Sequence, residues 1–297
     1  MQNSFENIPL TGWYPGHMLK AGRQMQARLR LVDFVVEILD ARIPLTSRNP
    51  AFHELLGHKP RFLVFNKKDL IGSDEVSRWQ KWFGRRGEHC LFFDAQKGED
   101  IATLTTAWHR YMDRIRQQRG IRRRTGDRPV RLMICGVPNG GKSTLINRLV
   151  KSRQAAVGAK PGVTRGQQWI RLKSNIELLD TPGVLWPRLQ RKETELKLAL
   201  TAAIKDELVG EELVAEYLWS RMRAHSERVN WALYDLEGCP SLPYDLLASV
   251  ARRRGLLAAG GGIDTLRSAQ ALLKDYRDGR IGRFCLDTIP DREGSYE

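Results

Sequence analysis

The feature that most constrains this chain is a glycine-rich segment between a strand pattern and a helix pattern. Gly136-x4-Gly141-Lys142-Ser143 follows the apolar run 131–135 and precedes the helical pattern 145–151. In this context the backbone N–H groups of the loop surround phosphate oxygens, and the lysine reaches the β- and γ-phosphates. We therefore expect a phosphate-binding set made of Pro138, Asn139, Gly140, Gly141, Lys142, Ser143 and Thr144.

A second motif, Asn66-Lys67-Lys68-Asp69, predicts which base is bound. The Asp69 carboxylate can accept hydrogen bonds from both guanine N1–H and the exocyclic amine. Adenine offers neither donor there and would leave the carboxylate unpaired in a closed site, which is costly. We expect Asn66 to bond the N7 side of the base and the stem of Lys67 to cover one base face.

A third segment, Asp94-Ala95-Gln96-Lys97-Gly98, follows another strand pattern. Guanine-nucleotide-binding proteins with the two motifs above usually carry Ser-Ala-Lys at this place. The Ala95 backbone N–H is expected to bond guanine O6. Asp94 and Gln96 depart from the usual pattern, so only the backbone role of Ala95 is carried over.

Two further motifs predict a Mg²⁺ site and a switch. Asp180 begins Asp-Thr-Pro-Gly and is expected to hold Mg²⁺ through water, while the Gly183 N–H contacts the γ-phosphate. The Ser143 hydroxyl is a hard oxygen ligand for the same ion. Thr164, within 161–165, has the position of the switch hydroxyl that closes over the metal when GTP is bound.

These motifs occur in a rotated order. In a Ras-like GTPase the phosphate loop comes first and the guanine-reading motif comes late, whereas here residues 66–69 and 94–98 precede residues 136–143. A complete set of parts in rotated order predicts a circularly permuted Ras-like P-loop GTPase domain.

The usual water-positioning glutamine is absent from the sequence after Gly183, where Val184 and Leu185 stand instead. Asn139 could hold a monovalent cation such as K⁺, whose charge would act where an arginine finger does. His17 is a candidate for orienting the water, although a single histidine at a helix start is more often structural. Lys142 and Thr164 complete the expected catalytic set.

Strand and helix patterns alternate up to about residue 192. Alternation of this kind predicts an α/β fold with a mostly parallel sheet and helices on both faces. After residue 192 only helical spacing is found. We therefore predict a GTPase domain over residues 1–192 and a smaller all-α domain over residues 193–297. The strand patterns are 33–39, 61–65, 89–93, 131–135 and 176–179, and the helix patterns are 18–31, 74–83, 104–118, 142–151, 193–204, 206–222, 243–254 and 264–277.

Composition limits the partners and the compartment. The formal net charge of +15 over 297 residues favours a polyanionic partner, with nucleic acid as the first candidate. Arginines crowd residues 110–131. Within this stretch the Gly- and Pro-containing segment 119–129 is predicted to be a surface linker, whose arginines are equally compatible with solvation and with an RNA contact. Arg252, Arg253 and Arg254 form a further candidate group. The four cysteines lack metal or disulfide spacing. With no apolar run of membrane-spanning length and no signal-peptide pattern, the expectation is a cytoplasmic protein without membrane association.

Taken together, the sequence resembles the ribosome biogenesis GTPase A family (YlqF/RbgA). The segments that carry this resemblance are WYPGHM (13–18), LDARIP (39–44), NKKD, GVPNGGKST, PGVTR and DTPGVLWP. The resemblance implies GTP hydrolysis coupled to late assembly of the large ribosomal subunit. It also implies a helical domain that contacts rRNA, a K⁺-assisted site with Asn139 on the cation, and a role for His17 in hydrolysis. The implied partner is the large-subunit precursor with its rRNA, and the implied state off the ribosome is a monomer.

Other functions fit the same residues less well. A small-subunit GTPase of this permuted group would carry an oligonucleotide-binding barrel and a zinc site, for which the sequence has neither the length before its first strand nor the cysteines. A GTPase that acts on another RNA is an alternative compatible with these motifs. A P-loop ATPase or nucleotide kinase conflicts with Asp69. A non-catalytic RNA-binding module would require the nucleotide site to be a relict, which disagrees with the intact Lys142, Ser143, Asp180 and Asp69. A nucleotide-regulated RNA-binding module with very little catalysis stays an alternative.

Overall fold

The computed structural model describes residues 5–11, 25–96, 101–121, 128–151, 169–180, 189–258, 260 and 262–290. The chain divides into two compact units. We call them the sheet unit, which comprises residues 14–68 and 76–187, and the helical unit, which comprises residues 1–13, 69–75 and 188–297.

The sheet unit is built on a six-stranded sheet with the order β3-β2-β1-β4-β6-β5. Neighbouring strands are parallel except for the antiparallel pair β5–β6. The strands are β1 Phe34–Asp40, β2 Arg61–Asn66, β3 His89–Phe92, β4 Val130–Gly136, β5 Trp169–Leu172 and β6 Ile176–Asp180. The predicted mostly parallel sheet is confirmed, and the five predicted strands begin and end within a residue or so of their expected bounds.

The strand order shows the rotation directly. If counting started at β4, which leads into the phosphate loop, and continued past the chain end to β3, the same sheet would read 6-5-4-1-3-2. The two central strands, β4 and β1, are thus adjacent, and the strands that follow each of them along the chain lie on opposite sides of this pair. Ligands of open α/β sheets bind at such a point, outside the carboxyl ends of the strands.

Helices cover both faces of this sheet, as predicted. Val36 and Ile38 of β1 lie in one apolar cluster with Trp108 of helix α3 (Ile101–Gln118) and Leu145 of helix α4 (Lys142–Lys151). On the opposite face Phe65 packs against Phe83 of helix α2 (Ser73–Arg85), with ring centroids 4.7 Å apart. Buried parallel strands need apolar cover on both sides, which explains the continuous apolar runs seen in the sequence.

Two elements of the sheet unit were missed by the sequence analysis. Strand β5 is a four-residue edge strand in which Arg171 points to solvent and pairs with Glu177 of β6, so it lacks a continuous apolar run. Helix α1 (Ala51–Leu56) has only six residues, too few to show a helical period. The N-terminal helix predicted over 18–31 lies partly outside the described residues. Its described part is helical over 25–28 and continues as a 3₁₀ turn, Leu29–Leu31.

The helical unit contains α5 Lys192–Leu200, α6 Asp206–Val209, α7 Glu211–Ala224, α8 Pro243–Arg254 and α9 Thr265–Arg277. The single helix predicted over 206–222 is wrong, because the chain breaks it at Gly210, which has φ of 100°. The first predicted helix also ends earlier than expected, at Leu200, with Ala202 in the left-handed region at φ of 64°. Within the described part of the chain, no helix is long and apolar enough to cross a membrane.

The short segment 69–75 belongs to the helical unit. Its anchor is Glu75, a buried carboxylate that accepts the Cys285 N–H at 3.0 Å and pairs with Arg228 at 3.1 Å. Arg228 also bonds Asp74 at 2.8 Å. The residues that directly follow the predicted guanine-reading motif are therefore held by groups from the far end of the chain.

Candidate nucleotide site

The phosphate-loop segment has the predicted local structure. Strand β4 ends at Gly136, helix α4 begins at Lys142, and the Leu145 N–H donates to the Gly141 carbonyl at 2.9 Å. Gly136 has φ of 153°, and a Cβ atom there would collide with the Ile38 carbonyl oxygen of β1. Glycine is required at this position because strands β4 and β1 approach too closely for any side chain.

The buried Asn66 side chain joins three loops at the end of β2. Its Oδ1 accepts the Ala95 N–H at 2.9 Å, and its Nδ2 donates to the Gly140 carbonyl at 3.0 Å. The side chain passes Gly141, which has φ of 96° and where a Cβ atom would collide with Asn66 Nδ2. Residues from the three sequence motifs 66–69, 94–98 and 136–143 are thereby brought together, as the sequence predicted.

This contact adds to the expected roles of Asn66 and Ala95. An amide nitrogen carries two N–H bonds, so the bond to Gly140 leaves the predicted N7 contact of Asn66 feasible. The Ala95 N–H, predicted to bond guanine O6, donates to Asn66 Oδ1 in this structure. Guanine O6 would therefore compete with an amide oxygen for this donor.

One of the two departures from the usual Ser-Ala-Lys pattern, Asp94, has a structural consequence. The Asp94 carboxylate accepts the Gln96 N–H at 2.7 Å, so it closes the turn on itself. Arg148 of α4 donates to the carbonyls of Ala95 at 3.0 Å and Asp94 at 3.3 Å. Sequence analysis did not single out Arg148, and no local pattern marks it, because the carbonyls it bonds lie far away along the chain.

Lys67 lies between the phosphate loop and the end of β1. Its backbone is left-handed, with φ of 61°, and so is that of Asn139, with φ of 55°. The Lys67 ammonium donates to the Asn139 carbonyl at 2.9 Å and to Asp40 Oδ2 at 2.9 Å. The lysine stem is thus held at its far end, and its place along a base face stays a prediction.

The expected Mg²⁺ ligands share one edge of the sheet as far as the structure describes them. Ser143 is exposed in the first turn of α4, and Asp180 ends β6, paired in register with Ile134 of β4. The Asp180 side chain, Thr164, Gly183 and His17 lie outside the described parts of the chain. Among the described residues no group of three His, Cys, Asp or Glu side chains is placed to hold a metal ion.

The remaining predicted residues lie directly after β2, in the phosphate loop and in the first turn of α4. Asp69 lies in the 3₁₀ turn Lys68–Leu70 directly after β2. Lys142 is half-buried at the start of α4, and Thr144, two residues later in the same helical turn, is exposed. Pro138 is half-buried in the phosphate loop, whereas Asn139 is exposed there.

The three arginines at the end of α8 differ in their contacts. Arg254 bonds the buried Asp275 carboxylate at 2.6 Å, and Asp275 also accepts the Tyr234 hydroxyl at 2.9 Å. Arg252 contacts the Ser249 hydroxyl at 3.1 Å, and Arg253, with 57% of its side chain exposed, lies 3.4 Å from Asp235. Arg254 is therefore a structural residue, while Arg252 and Arg253 line a solvent-open depression beside Ser249 and Leu236.

The arginine-rich stretch before β4 is also partly structural. Arg128 bonds the Asp33 carboxylate at 2.6 Å, and Arg131 bonds Glu177 at 2.8 Å. Residues 122–127 lie outside the described parts of the chain. Arg128 is thus bonded to the sheet unit, while the solvated-linker and RNA-contact interpretations of segment 119–129 stay predictions.

Comparison with known proteins gives a consistent set of similarities. A family model described as 50S ribosome-binding GTPase matches residues 131–217. Ribosome biogenesis GTPase A of Priestia megaterium is 38% identical over 285 residues, which cover 95% of this chain and 98% of that protein. The Bacillus cereus protein of the same name is 37% identical over 276 residues, 93% of each chain. Mitochondrial ribosome-associated GTPase 1 of Mus musculus is 37% identical over 309 residues, 95% of this chain and 93% of its own.

The fold is similar to that of solved structures as well. The crystal structure of GNP-bound YlqF from T. maritima matches with a TM-score of 0.67 and 27% identity, covering 90% of this chain and 97% of that one. The GDP-bound structure of the same protein matches with a TM-score of 0.67, 27% identity, and coverage of 89% and 98%.

Proposed function

The chain belongs to the ribosome biogenesis GTPase A family, and we propose on this premise that it acts late in assembly of the large ribosomal subunit. It is a GTPase that converts GTP to GDP and phosphate in ribosome assembly. The proposed partner is the large-subunit precursor with its rRNA. We propose that the protein is cytoplasmic and monomeric when it is not on that particle.

The observation that carries the nucleotide assignment is the Asn66 bridge. It links the guanine-reading strand end to Ala95 and to the phosphate loop at Gly140. A phosphate loop alone does not distinguish ATP from GTP, but its attachment to a motif that ends in Asp69 does. A carboxylate there pairs with the two donors of guanine and has no partner on adenine.

A displacement titration tests this selectivity. GTP should displace a fluorescent GDP analogue at concentrations far below those needed for ATP. Asp69→Asn should shift the preference from GDP to xanthosine diphosphate, because an amide can donate to the xanthine C2 carbonyl where guanine has an amine. Equal displacement by ATP and GTP in the wild type would refute the assignment.

We propose Mg²⁺ as the divalent cofactor, held by Ser143, Asp180 and Thr164, and K⁺ as a second cation at the Asn139 side chain. Both sets offer the hard oxygen donors that these ions prefer. When bound, the ions would neutralise charge on the transferred phosphoryl group. Hydrolysis should therefore be faster in K⁺ than in Na⁺ and should rise further with large subunits. Equal rates in both salts would count against the K⁺ site.

We propose that His17 orients the attacking water, with Lys142 and Thr164 stabilising the phosphoryl group. His17→Ala should then slow turnover while GTP affinity stays near that of the wild type. A collapse of affinity would make His17 structural. A useful comparison is His58→Ala, which removes an exposed histidine elsewhere and should leave turnover unchanged.

We further propose that the GTP-bound form docks on rRNA and that hydrolysis releases it. In this chain the γ-phosphate-sensing residues 180–183 lead, through 184–191, directly into α5 of the helical unit. In an unpermuted GTPase the chain would continue from that motif into the sheet. Because of the rotated order, the switch residues 180–183 directly precede, in the sequence, the helical segment that is proposed to contact RNA.

The contacts of the α8 arginines predict where RNA binds. Arg252 and Arg253 should contact phosphates, and Arg254 should not, because Asp275 holds it. The double variant Arg252→Gln/Arg253→Gln should weaken pelleting with large subunits and reduce its salt dependence, at unchanged thermal stability. A matched control is Arg85→Gln/Arg86→Gln, another adjacent exposed pair at a helix end. Equal loss in both double variants would indicate nonspecific charge effects.

A further inference from the structure

The DARIP turn that follows β1 contains a buried ionic cluster whose function the nucleotide chemistry does not explain. Asp40, with 2% of its surface exposed, ends β1 and accepts hydrogen bonds from two cations. Arg42 donates through Nε at 2.9 Å and Nη2 at 2.8 Å, and Lys67 donates through Nζ at 2.9 Å. One carboxylate thus binds a structural arginine and a lysine of the guanine-reading motif.

The two cations keep this carboxylate ionised. Burial by itself would raise the pKa of Asp40, but the charges and hydrogen bonds of Arg42 and Lys67 outweigh burial and hold the pKa well below its ordinary value. Arg42 is itself buried and also donates its backbone N–H to Asp40 Oδ1 at 3.0 Å, which fixes the carboxylate in one orientation. The Asp40 N–H in turn donates to the buried Ser47 hydroxyl at 3.2 Å.

Lys67 needs such an anchor. Its left-handed backbone, at φ of 61°, is uncommon outside glycine, asparagine and aspartate, and it faces a second left-handed residue, Asn139. The Lys67 ammonium bridges the Asn139 carbonyl and the Asp40 carboxylate. The β1 and β2 ends are also tied through the Ala41 N–H, which donates to the Asn66 carbonyl at 2.8 Å.

We propose that Asp40 is a positioning residue of the nucleotide site, which acts by fixing the Lys67 ammonium against the phosphate loop. With its far end held, the aliphatic stem of Lys67 is stretched in one direction and is preorganised to cover a base face. The ammonium held in this way also donates to the Asn139 carbonyl, which links the guanine-reading motif to the phosphate loop. This inference rests on the proposed guanine-nucleotide site, and it assigns to the DARIP turn a part in nucleotide affinity.

A double-mutant cycle tests whether Asp40 acts through Lys67. Asp40→Asn removes the charge that holds the ammonium, and Lys67→Met keeps the stem but removes the ammonium itself. Asp40→Asn should weaken binding of a fluorescent GDP analogue about tenfold in the wild-type background. In the Lys67→Met background the same substitution should change the Kd less than about twofold, because the anchored group is already gone.

Kinetics separate positioning from catalysis. Asp40→Asn should raise KM for GTP while kcat at saturating GTP stays within about twofold of the wild type, since the lost bond affects binding of the ground and transition states alike. The control is Asp33→Asn, at the opposite end of β1. The Asp33 carboxylate also accepts two hydrogen bonds from an arginine, Arg128. The GDP affinity of Asp33→Asn should equal that of the wild type.

Three results would overturn the proposal. They are an unchanged Kd in Asp40→Asn, an equal loss in both backgrounds of the cycle, and an equal loss in Asp33→Asn. If Asp40→Asn does not fold because the buried Arg42 loses the charge of this carboxylate, the cycle is run with Arg42→Met included in all variants. A wild type that shows no guanine selectivity would instead refute the proposed function, so the two failures are distinguishable.

Discussion

Replacing Asn66 with alanine should weaken guanine-nucleotide binding by roughly 100-fold, and the structure shows why. The side chain is 3% exposed and makes two hydrogen bonds, to Ala95 N–H and to the Gly140 carbonyl. Its removal leaves both of these buried backbone groups without the partner they have now. Each orphaned group costs about 1–3 kcal/mol, and water entering from the loop side reduces that cost, so we expect about 3 kcal/mol in total.

This energy should appear mainly as lost affinity. The free variant can let the two loops relax, and binding must then order them again. Titration with a fluorescent GDP analogue measures the effect, and urea unfolding checks that the sheet unit remains folded. Asn66→Asp has the same shape and keeps an acceptor for Ala95 N–H, but it places an oxygen against the Gly140 carbonyl. The loss of nucleotide affinity in Asn66→Asp should be at least as large as that in Asn66→Ala.

The bridge and the predicted N7 contact can be separated with 7-deaza-GDP, which lacks N7. If the bridge dominates, Asn66→Ala should weaken 7-deaza-GDP and GDP by similar factors. If the side chain acts mainly on N7, the wild type and Asn66→Ala should bind 7-deaza-GDP equally well. That second result would refute the bridging role of Asn66 in nucleotide affinity.

Further predictions concern stability. Gly84→Ala in α2 should raise the free energy of unfolding by about 0.5–1 kcal/mol, since the added methyl meets open space; urea denaturation measures this, and a loss would show hidden strain. Asp275→Asn should lower the free energy of unfolding by about 1–3 kcal/mol, because the Tyr234 hydroxyl and the partly exposed Arg254 lose their anionic partner. An unchanged midpoint of urea unfolding would contradict the role of this ion pair. Burial raises the pKa of Glu177, but its two arginine partners lower it below the ordinary value of 4.5. Its folded-state pKa is thus depressed, so Glu177 stabilises the fold above pH 4.5 and this contribution is lost as the pH falls. Unfolding curves of the wild type and Glu177→Gln should therefore converge in acid. Burial and the Glu88 charge raise the pKa of the Cys90 thiol to about 12, so its alkylation at about pH 8 should be much slower than that of free cysteine.

The sheet shows what local sequence can predict. Strand β1 is apolar along most of its length and buried on both faces, so its pattern was visible without any partner. The strand, glycine loop and helix around Gly136 could also be predicted, because the conformation of each is determined by residues adjacent to it in the sequence. Strand β5 was missed because an edge strand with an exposed Arg171 has no apolar run. The break at Gly210 was missed because the residues on both sides favour a helix.

The rotation of motifs did not disturb the sheet. Hydrogen bonds between β4 and β1 depend on adjacency in space, and the connecting loop can be cut and rejoined elsewhere. Strand order, followed from the phosphate-loop strand onward, is therefore that of a doubly wound sheet with its ligand-binding point in the middle. The sequence predicted the permutation from motif order and the mostly parallel sheet from the alternation of elements, whereas the strand order comes from the structure.

By itself, the sequence determined the motifs, the elements that carry them and the nucleotide they are suited to bind. Phosphate-loop geometry and guanine selection depend on residue types at fixed short spacings, and such spacings can be recognised in a single sequence. Only the tertiary structure decided how the motifs are joined. Asn66, Asp40 and Arg148 each bond a loop distant in sequence, and no period or spacing encodes such contacts. The physical reason is that backbone conformation is a local property, whereas a buried hydrogen bond between loops exists only after the sheet has brought them together.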